Sequence, residues 1–238
     1  VFLLRFFPRH GLLVRPGTAV VRALAVVVLA LGLSVFPFFS HVARAAPITI
    51  AALGDSLTQG YGLAQGDGLV PRLQKWLRDR GQDVTIVNAG VSGDTTAGGL
   101  ARLDWTIGAG VDALIVELGG NDMLRGIAPE VARANLDQLL GKARARGLPV
   151  LLVGLSAPTN FGPAYKQAFD AIWPALAARH DTLLYPDLLA PLRALGDRAM
   201  VMQRYMQADG IHPNARGVTL VVSGLGPQVL RLLERVRK

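Results

Sequence analysis

An α/β architecture is predicted: one three-layer α/β/α domain around a doubly wound, five-stranded parallel sheet. Three observations predict it. Five short apolar runs, rich in Val, Ile and Leu, recur between positions 48 and 185. Stretches with apolar residues at helical spacing separate them. The runs are continuously apolar rather than alternating, as befits strands buried on both faces. Right-handed crossovers then wind helices onto both sides of the sheet. In such folds ligands bind beyond the carboxyl ends of the strands, which directs attention to the turn after each run.

The elements follow in order. Residues 48–53 (ITIAAL) form the first strand and end at Gly54. Residues 70–80 set Val70, Leu73 and Leu77 on one helical face and stop at Gly81, a C-cap signal. Residues 84–88 (VTIVN) are the second strand. A weaker helix over 95–107 is expected to be interrupted at Gly98-Gly99. Residues 113–118 (ALIVEL) are the third strand, closed by Gly119-Gly120. The clearest helix is 129–146, with Pro129 in its first turn, basic residues in its last and Gly147 beyond. A strand over 150–154, a helix over 164–178 and a strand over 182–185 follow. A closing helix over 214–236 is expected to bend or break at Gly226-Pro227.

Residues 1–45 read differently. They hold Arg5, Arg9, Arg15, Arg22 and Arg44 and no carboxylate. Positions 23–39 carry no charge, and Ala43-Arg44-Ala45 precedes Ala46-Pro47. A basic start, an apolar stretch and an A-x-A site predict a secretory signal peptide cleaved after Ala45, placing residues 46–238 in the periplasm or outside the cell. The alternative is an uncleaved membrane anchor, for which 17 apolar residues fall short of the ~20 needed to span a bilayer. Membrane contact is expected only through this leader.

The net charge of +8 mostly belongs to that leader; 20 basic and 17 acidic residues remain after it. Without a concentrated basic patch, no nucleic-acid partner is expected. The absence of cysteine excludes a thiol nucleophile, a thiolate metal site and any disulfide. Only His180 and His212 lie beyond the leader, which argues against zinc; an all-carboxylate magnesium site stays open as an alternative. No cofactor and no metal are expected.

Small polar residues gather where ligands should bind. Gly54-Asp55-Ser56 follows the first strand, Gly93-Asp94 lies beyond the second, Asn121-Asp122 follows the third, and Asp209-Gly210-Ile211-His212-Pro213 lies far downstream. Ser56 can be a nucleophile or merely a helix cap. A serine hydroxyl needs a base to attack, and His212, three residues after Asp209, is the candidate; a carboxylate on Nδ1–H leaves Nε2 free to take the hydroxyl proton. His180, after a helix, reads as a solvated residue. Asp55, Asp94 and Asp122 read as turn or cap residues. Glu117 inside an apolar strand is either a buried supporting group or an edge residue. Trp76, Trp105 and Trp173 read as packing residues.

Four blocks in this order, GDSLTQGYG, VNAGVSGDT, VELGGND and DGIHPN, resemble the SGNH (GDSL) hydrolases, most closely the bacterial acyl-CoA thioesterase/lysophospholipase/arylesterase branch. The resemblance covers Ile48 to about Asn214 and implies a flavodoxin-like fold. By position it implies Ser56 as nucleophile, His212 as base and Asp209 as its orienter. It also implies an oxyanion hole made of the backbone N–H groups of Ser56 and Gly93 and the side-chain amide of Asn121. The implied substrate is a small-molecule ester or lipid: an acyl thioester, a lysophospholipid or an aryl ester.

A carbohydrate O-acetylesterase is the alternative substrate class, and a non-catalytic binding protein on the same scaffold is the alternative of a different kind. A metal-dependent phosphatase with Asp55 as nucleophile would need an Asp-x-Asp pair that Gly54-Asp55-Ser56 lacks. Met123, Leu124 and Ile127 after Asn121, with Pro158 and Phe161 after the fourth strand, are the expected lining of an acyl groove.

Overall fold

Continuous apolar runs become central strands in the computed structural model, which describes residues 46–238; the predicted signal peptide and its cleavage point lie outside the described residues. The strands are β1 (Ile48–Gly54), β2 (Val84–Gly90), β3 (Ala113–Glu117), β4 (Val150–Val153) and β5 (Leu183–Tyr185). They form one parallel sheet in the order β2-β1-β3-β4-β5. The helices are α1 (Ser56–Gln59), α2 (Leu69–Arg78), α3 (Thr96–Thr106), α4 (Gly120–Leu124), α5 (Pro129–Ala145), α6 (Pro163–Asp170), α7 (Ile172–His180), α8 (Ala190–Arg193), α9 (Arg198–Tyr205) and α10 (Ala215–Val236). A 3₁₀ turn spans Thr159–Phe161. α2 and α8 pack against α10 on one side, and α3 and α7 pack against α5 on the other. This is the predicted three-layer, doubly wound arrangement.

Three helix expectations differ from the structure. The 95–107 helix is continuous through Gly98-Gly99 as α3. A Cβ on Gly99 would lie 2.2 Å from Leu118 Cδ1, and one on Gly98 would lie 1.7 Å from Asp94 Oδ1, so these glycines give room rather than break the helix. The 164–178 helix is two helices, α6 and α7. Pro174 has no N–H to give the Asp170 carbonyl, and it is tolerated as a first-turn residue of α7. The closing helix runs unbroken through Pro227. A Cβ on Gly226 would meet the Trp76 ring at 2.6 Å, and one on Gly224 would meet the Tyr185 hydroxyl at 2.4 Å, so small residues let α10 approach its neighbours.

The core is aliphatic, with Trp173 and Phe169 its largest wholly buried side chains. Phe161, Tyr165, Phe169 and Trp173 form a ladder of ring contacts, with centroids 4.7–5.8 Å apart. Trp105 departs from its expected packing role: its residue is 92% exposed.

The strand order reverses between β1 and β3. In register, Gly54 stands beside both Gly90 and Glu117, so the three turns that follow β1, β2 and β3 start at one level. That crevice is where a doubly wound sheet places its ligand.

Candidate active site

The turn after β1 is built to present Ser56. Asp55 caps α1, its Oδ1 accepting from the Leu57 N–H at 3.0 Å. The turn closes through Gln59 N–H to the Asp55 carbonyl at 2.9 Å. Ser56 is the first residue of α1, where a backbone N–H has no acceptor inside the helix. Among the described residues neither the Ser56 nor the Gly93 N–H donates a hydrogen bond.

The loop ahead of α10 brings His212 over it. The Gln207 N–H donates to the His212 carbonyl at 2.8 Å, and an antiparallel bridge joins Met206 to Pro213. Asp209 Oδ1 accepts from the N–H groups of Ile211 and His212 at 2.9 and 3.0 Å. Its Oδ2 lies 2.7 Å from His212 Nδ1, and His212 Nε2 lies 2.8 Å from Ser56 Oγ. Some burial pulls the Asp209 carboxyl upward, but the backbone and ring hydrogen bonds of His212, the Ile211 N–H and the imidazole charge outweigh it and hold it at about 2. Asp209 is therefore an anion at neutral pH, able to accept from Nδ1. Tyr61 packs on the imidazole, with ring centroids 4.9 Å apart.

The two remaining predicted donors lie in the turns that follow β2 and β3. Gly93 has φ +81, a left-handed conformation that favours glycine, and its carbonyl accepts from Arg125 Nη2 at 2.7 Å. Asn121 lies in α4, which begins after Gly119 (φ +115). Its Nδ2 donates to the Asp94 carbonyl at 2.9 Å and to Asp55 Oδ2 at 3.2 Å.

A groove of about 570 Å³ lies beside this centre, lined by Pro158, Leu189, Val201, Met202 and Met206 among others. Leu189 also borders the smaller depression that holds Ser56 and His212. Of the residues predicted to line a groove, Pro158 does so. Met123 packs against the core, Leu124 is exposed, the Ile127 carbonyl accepts from the Tyr165 hydroxyl, and Phe161 packs on Tyr165. The structure brings none of these four to the groove. Its far wall comes instead from α8 and α9, whose short apolar stretches carry little periodicity. Its near wall is fastened by Asp170, which accepts from the Ala157 N–H and pairs with Lys166.

Asp55 caps its helix as expected, whereas Asp94 pairs with Arg102 and buried Asp122 accepts from the Thr96 N–H and hydroxyl. His180 is not solvated: its side chain is 9% exposed, and Nε2 lies 2.6 Å from Asp137 of α5. Glu117 is not at an edge, since β3 is the middle strand, and it is 1% exposed. Sequence reasoning passed over Tyr61 and Arg125. Tyr61 stands inside the quoted block GDSLTQGYG, five residues after Ser56, which was the available signal; Arg125 lies three residues beyond the block VELGGND, where no motif marked it.

The pattern of the GDSL-like Lipase/Acylhydrolase family matches residues 52–220. The chain is 43% identical to Esterase TesA of Pseudomonas aeruginosa over 191 residues, 80% of this chain and 92% of that protein. It is 36% identical to Thioesterase 1/protease 1/lysophospholipase L1 of Escherichia coli K12 over 191 residues, 79% of this chain and 86% of that one. The crystal structure of TesA superposes with a TM-score of 0.71 at 41% identity, covering 77% of this chain and 99% of that one.

Proposed function

The chain belongs to the GDSL-like lipase/acylhydrolase family and is an ester-hydrolysing enzyme, and from that premise we propose that it works through a Ser56 acyl-enzyme on carboxylic esters or thioesters with an acyl chain. The single observation that carries this is the line Asp209 Oδ2, His212, Ser56 Oγ, with 2.7 and 2.8 Å between successive partners. Neutral His212 Nε2 takes the Ser56 proton as Oγ attacks the carbonyl carbon. Asp209 holds the ring in the tautomer with hydrogen on Nδ1 and stabilises the imidazolium. The same imidazolium then protonates the leaving oxygen or sulfur. Water, deprotonated by His212, releases the acid and restores Ser56.

The oxyanion faces the N–H groups of Ser56 and Gly93. An arriving oxyanion carries full charge and so outcompetes the neutral Asp94 carbonyl for one Asn121 N–H. The groove offers an acyl chain the apolar side chains of Leu189, Val201, Met202 and Met206, although Lys166, Arg193 and Arg198 also line it. Residues 1–45 act as an export signal in this reading, so N-terminal sequencing of the exported protein should begin at Ala46. An intact leader on the exported protein would contradict it.

A fluorophosphonate probe tests the mechanism. Mass spectrometry should place the probe on Ser56, and Ser56→Ala should take none. An unlabelled native protein would favour the non-catalytic scaffold, and label elsewhere would remove Ser56 as nucleophile. The Asp55-nucleophile alternative gains nothing from the geometry, since Asp55 is 2% exposed and turned toward Leu57 and Asn121.

Acyl preference follows from the groove. Val201→Trp fills it, so the ratio of octanoate to acetate ester kcat/KM should fall by about 10-fold, the order expected when a few methylenes lose their pocket. An unchanged ratio across p-nitrophenyl esters from acetate to palmitate would place the chain elsewhere. A preference for acetylated sugars over every alkyl ester would overturn the substrate class.

A further inference from the structure

The mechanism above gives no role to one pair of buried carboxyls. Glu117 closes β3 and is 1% exposed; Asp55, in the turn after β1, is 2% exposed. The register of Gly54 beside Glu117 sets them together. Glu117 Oε2 accepts from Thr58 Oγ1 at 2.8 Å, while its buried Oε1 meets no hydrogen-bond donor. Asp55 Oδ1 accepts from the Leu57 N–H, and Oδ2 accepts from Asn121 Nδ2. The enclosure is close: a Cβ on Gly120 would lie 3.1 Å from Asp55 Oδ2.

Among the described residues no lysine or arginine donates to either carboxyl. Arg102 reaches the Gly54 carbonyl but is paired with Asp94. Asp122 is held by Thr96. His212, beyond Ser56, is the one basic side chain that acts electrostatically on Asp55. Two neighbouring carboxylates in a dry space without a cation cannot both stay ionised. Burial, then the charge of Asp55, keeps Glu117 protonated well above the usual carboxyl range, against the opposing Thr58 hydroxyl and Asp55 N–H. Burial lifts Asp55 as well, but only to about 6, because the Leu57 N–H, Glu117, His212 and Asn121 oppose it. Of the two, Glu117 therefore keeps its proton the more readily.

We infer that Glu117 works as a neutral carboxylic acid whose Oε1–H donates to Asp55, and that the chain Glu117–Asp55–Asn121 orients the amide that serves the oxyanion. The second half rests on the proposed role of Asn121. Asp55 then accepts from Leu57, Asn121 and Glu117 at once, which fixes the carboxylate plane and with it the Asn121 rotamer. An unpartnered Oε1 becomes a donor, so the one unsatisfied buried atom of the crevice is accounted for. Glu117 is a positioning residue; it touches no reacting atom.

The test compares Glu117→Gln with Glu117→Ala. Gln keeps a neutral donor toward Asp55 and an acceptor for Thr58, so kcat should stay within about fivefold of the native enzyme. Ala removes both; kcat should fall by about 10- to 100-fold with KM little changed, since displacement of a positioned group by ~1 Å costs about 100-fold. Infrared spectra at neutral pH should show a carboxylic-acid C=O band that Glu117→Gln lacks.

Denaturation gives a further reading. A raised folded value means stability that is full below the ~4.3 of an unfolded glutamate and is lost as pH rises toward the folded value. Glu117→Gln carries no such loss, so its denaturation midpoint should gain on the native one from about pH 4 upward. Gln as damaging as Ala would mean that an ionised carboxylate is needed, and would overturn the inference. So would the missing band, a pH-independent midpoint difference, or an Ala variant with native kcat. If Ala fails to fold, kcat and the infrared band of the Gln variant decide alone. The infrared and denaturation readings need no turnover, so they stand apart from the fate of the hydrolase mechanism.

Discussion

Alanine at Ser56 or at His212 is expected to lower kcat on p-nitrophenyl butyrate by about 10⁶, and the double variant should be no worse than either. The reason is the 2.8 Å contact between Nε2 and Oγ. Without the ring, the hydroxyl keeps its proton; without the hydroxyl, the ring has nothing to activate but water. Asp209→Ala should cost less, about 10⁴, because the ring survives and loses only its orientation and counter-charge. Since Asp209 ionises at about 2, the acid side of the pH–rate profile should not be its own. Asp55, held at about 6, does change charge on that side, so the rate should drop below about pH 6 as the carboxylate that orients Asn121 is protonated. Unchanged folding by circular dichroism makes each loss interpretable, and additive losses in the double variant would mean the two residues do not act as a unit.

What could be read from the sequence, and what could not, divides along a physical line. The strands are legible because a parallel sheet covered on both sides leaves no polar face, so ITIAAL and ALIVEL carry their burial in composition. The chemistry-bearing turns are legible because the strand-end rule says where to look, and the four blocks then fix which residues matter. Glycine misleads where its purpose is space: Gly98 and Gly99 interrupt a propensity pattern yet sit within α3 because Asp94 and Leu118 occupy the room they leave.

The split between α6 and α7 was readable at Pro174, but apolar spacing alone runs past it. The partnership of Asp55 with Glu117 is of another kind. It depends on the register of β1 against β3, which neither segment states by itself. The groove wall is illegible for a similar reason. α8 and α9 are too short for periodicity to report, and which of their side chains meet Pro158 is decided by how the chain returns across the edge of the sheet after β5.

Gly90→Ala should destabilise the domain by about 3 kcal/mol, at the upper end of the range for overpacking, because nothing nearby can rotate away. The added Cβ would lie 2.3 Å from the Gln59 nitrogen, 2.7 Å from its Cα and 2.9 Å from the Asp55 carbonyl oxygen. Those are the partners of the hydrogen bond that closes the turn carrying Ser56. The methyl group must therefore push either β2 or α1 aside. If α1 moves, Ser56 Oγ leaves the reach of His212 Nε2, and a shift of ~1 Å costs about 100-fold in turnover. A single methyl group on a strand that contributes no catalytic atom should thus depress both the urea midpoint and kcat.

Gly66→Ala is the control. It has open space within 4 Å and no left-handed φ, so it should leave kcat alone and shift stability by no more than about 0.5 kcal/mol in either direction. Equal effects of the two substitutions would show that the close approach of β2 to α1 is not what holds the serine in place.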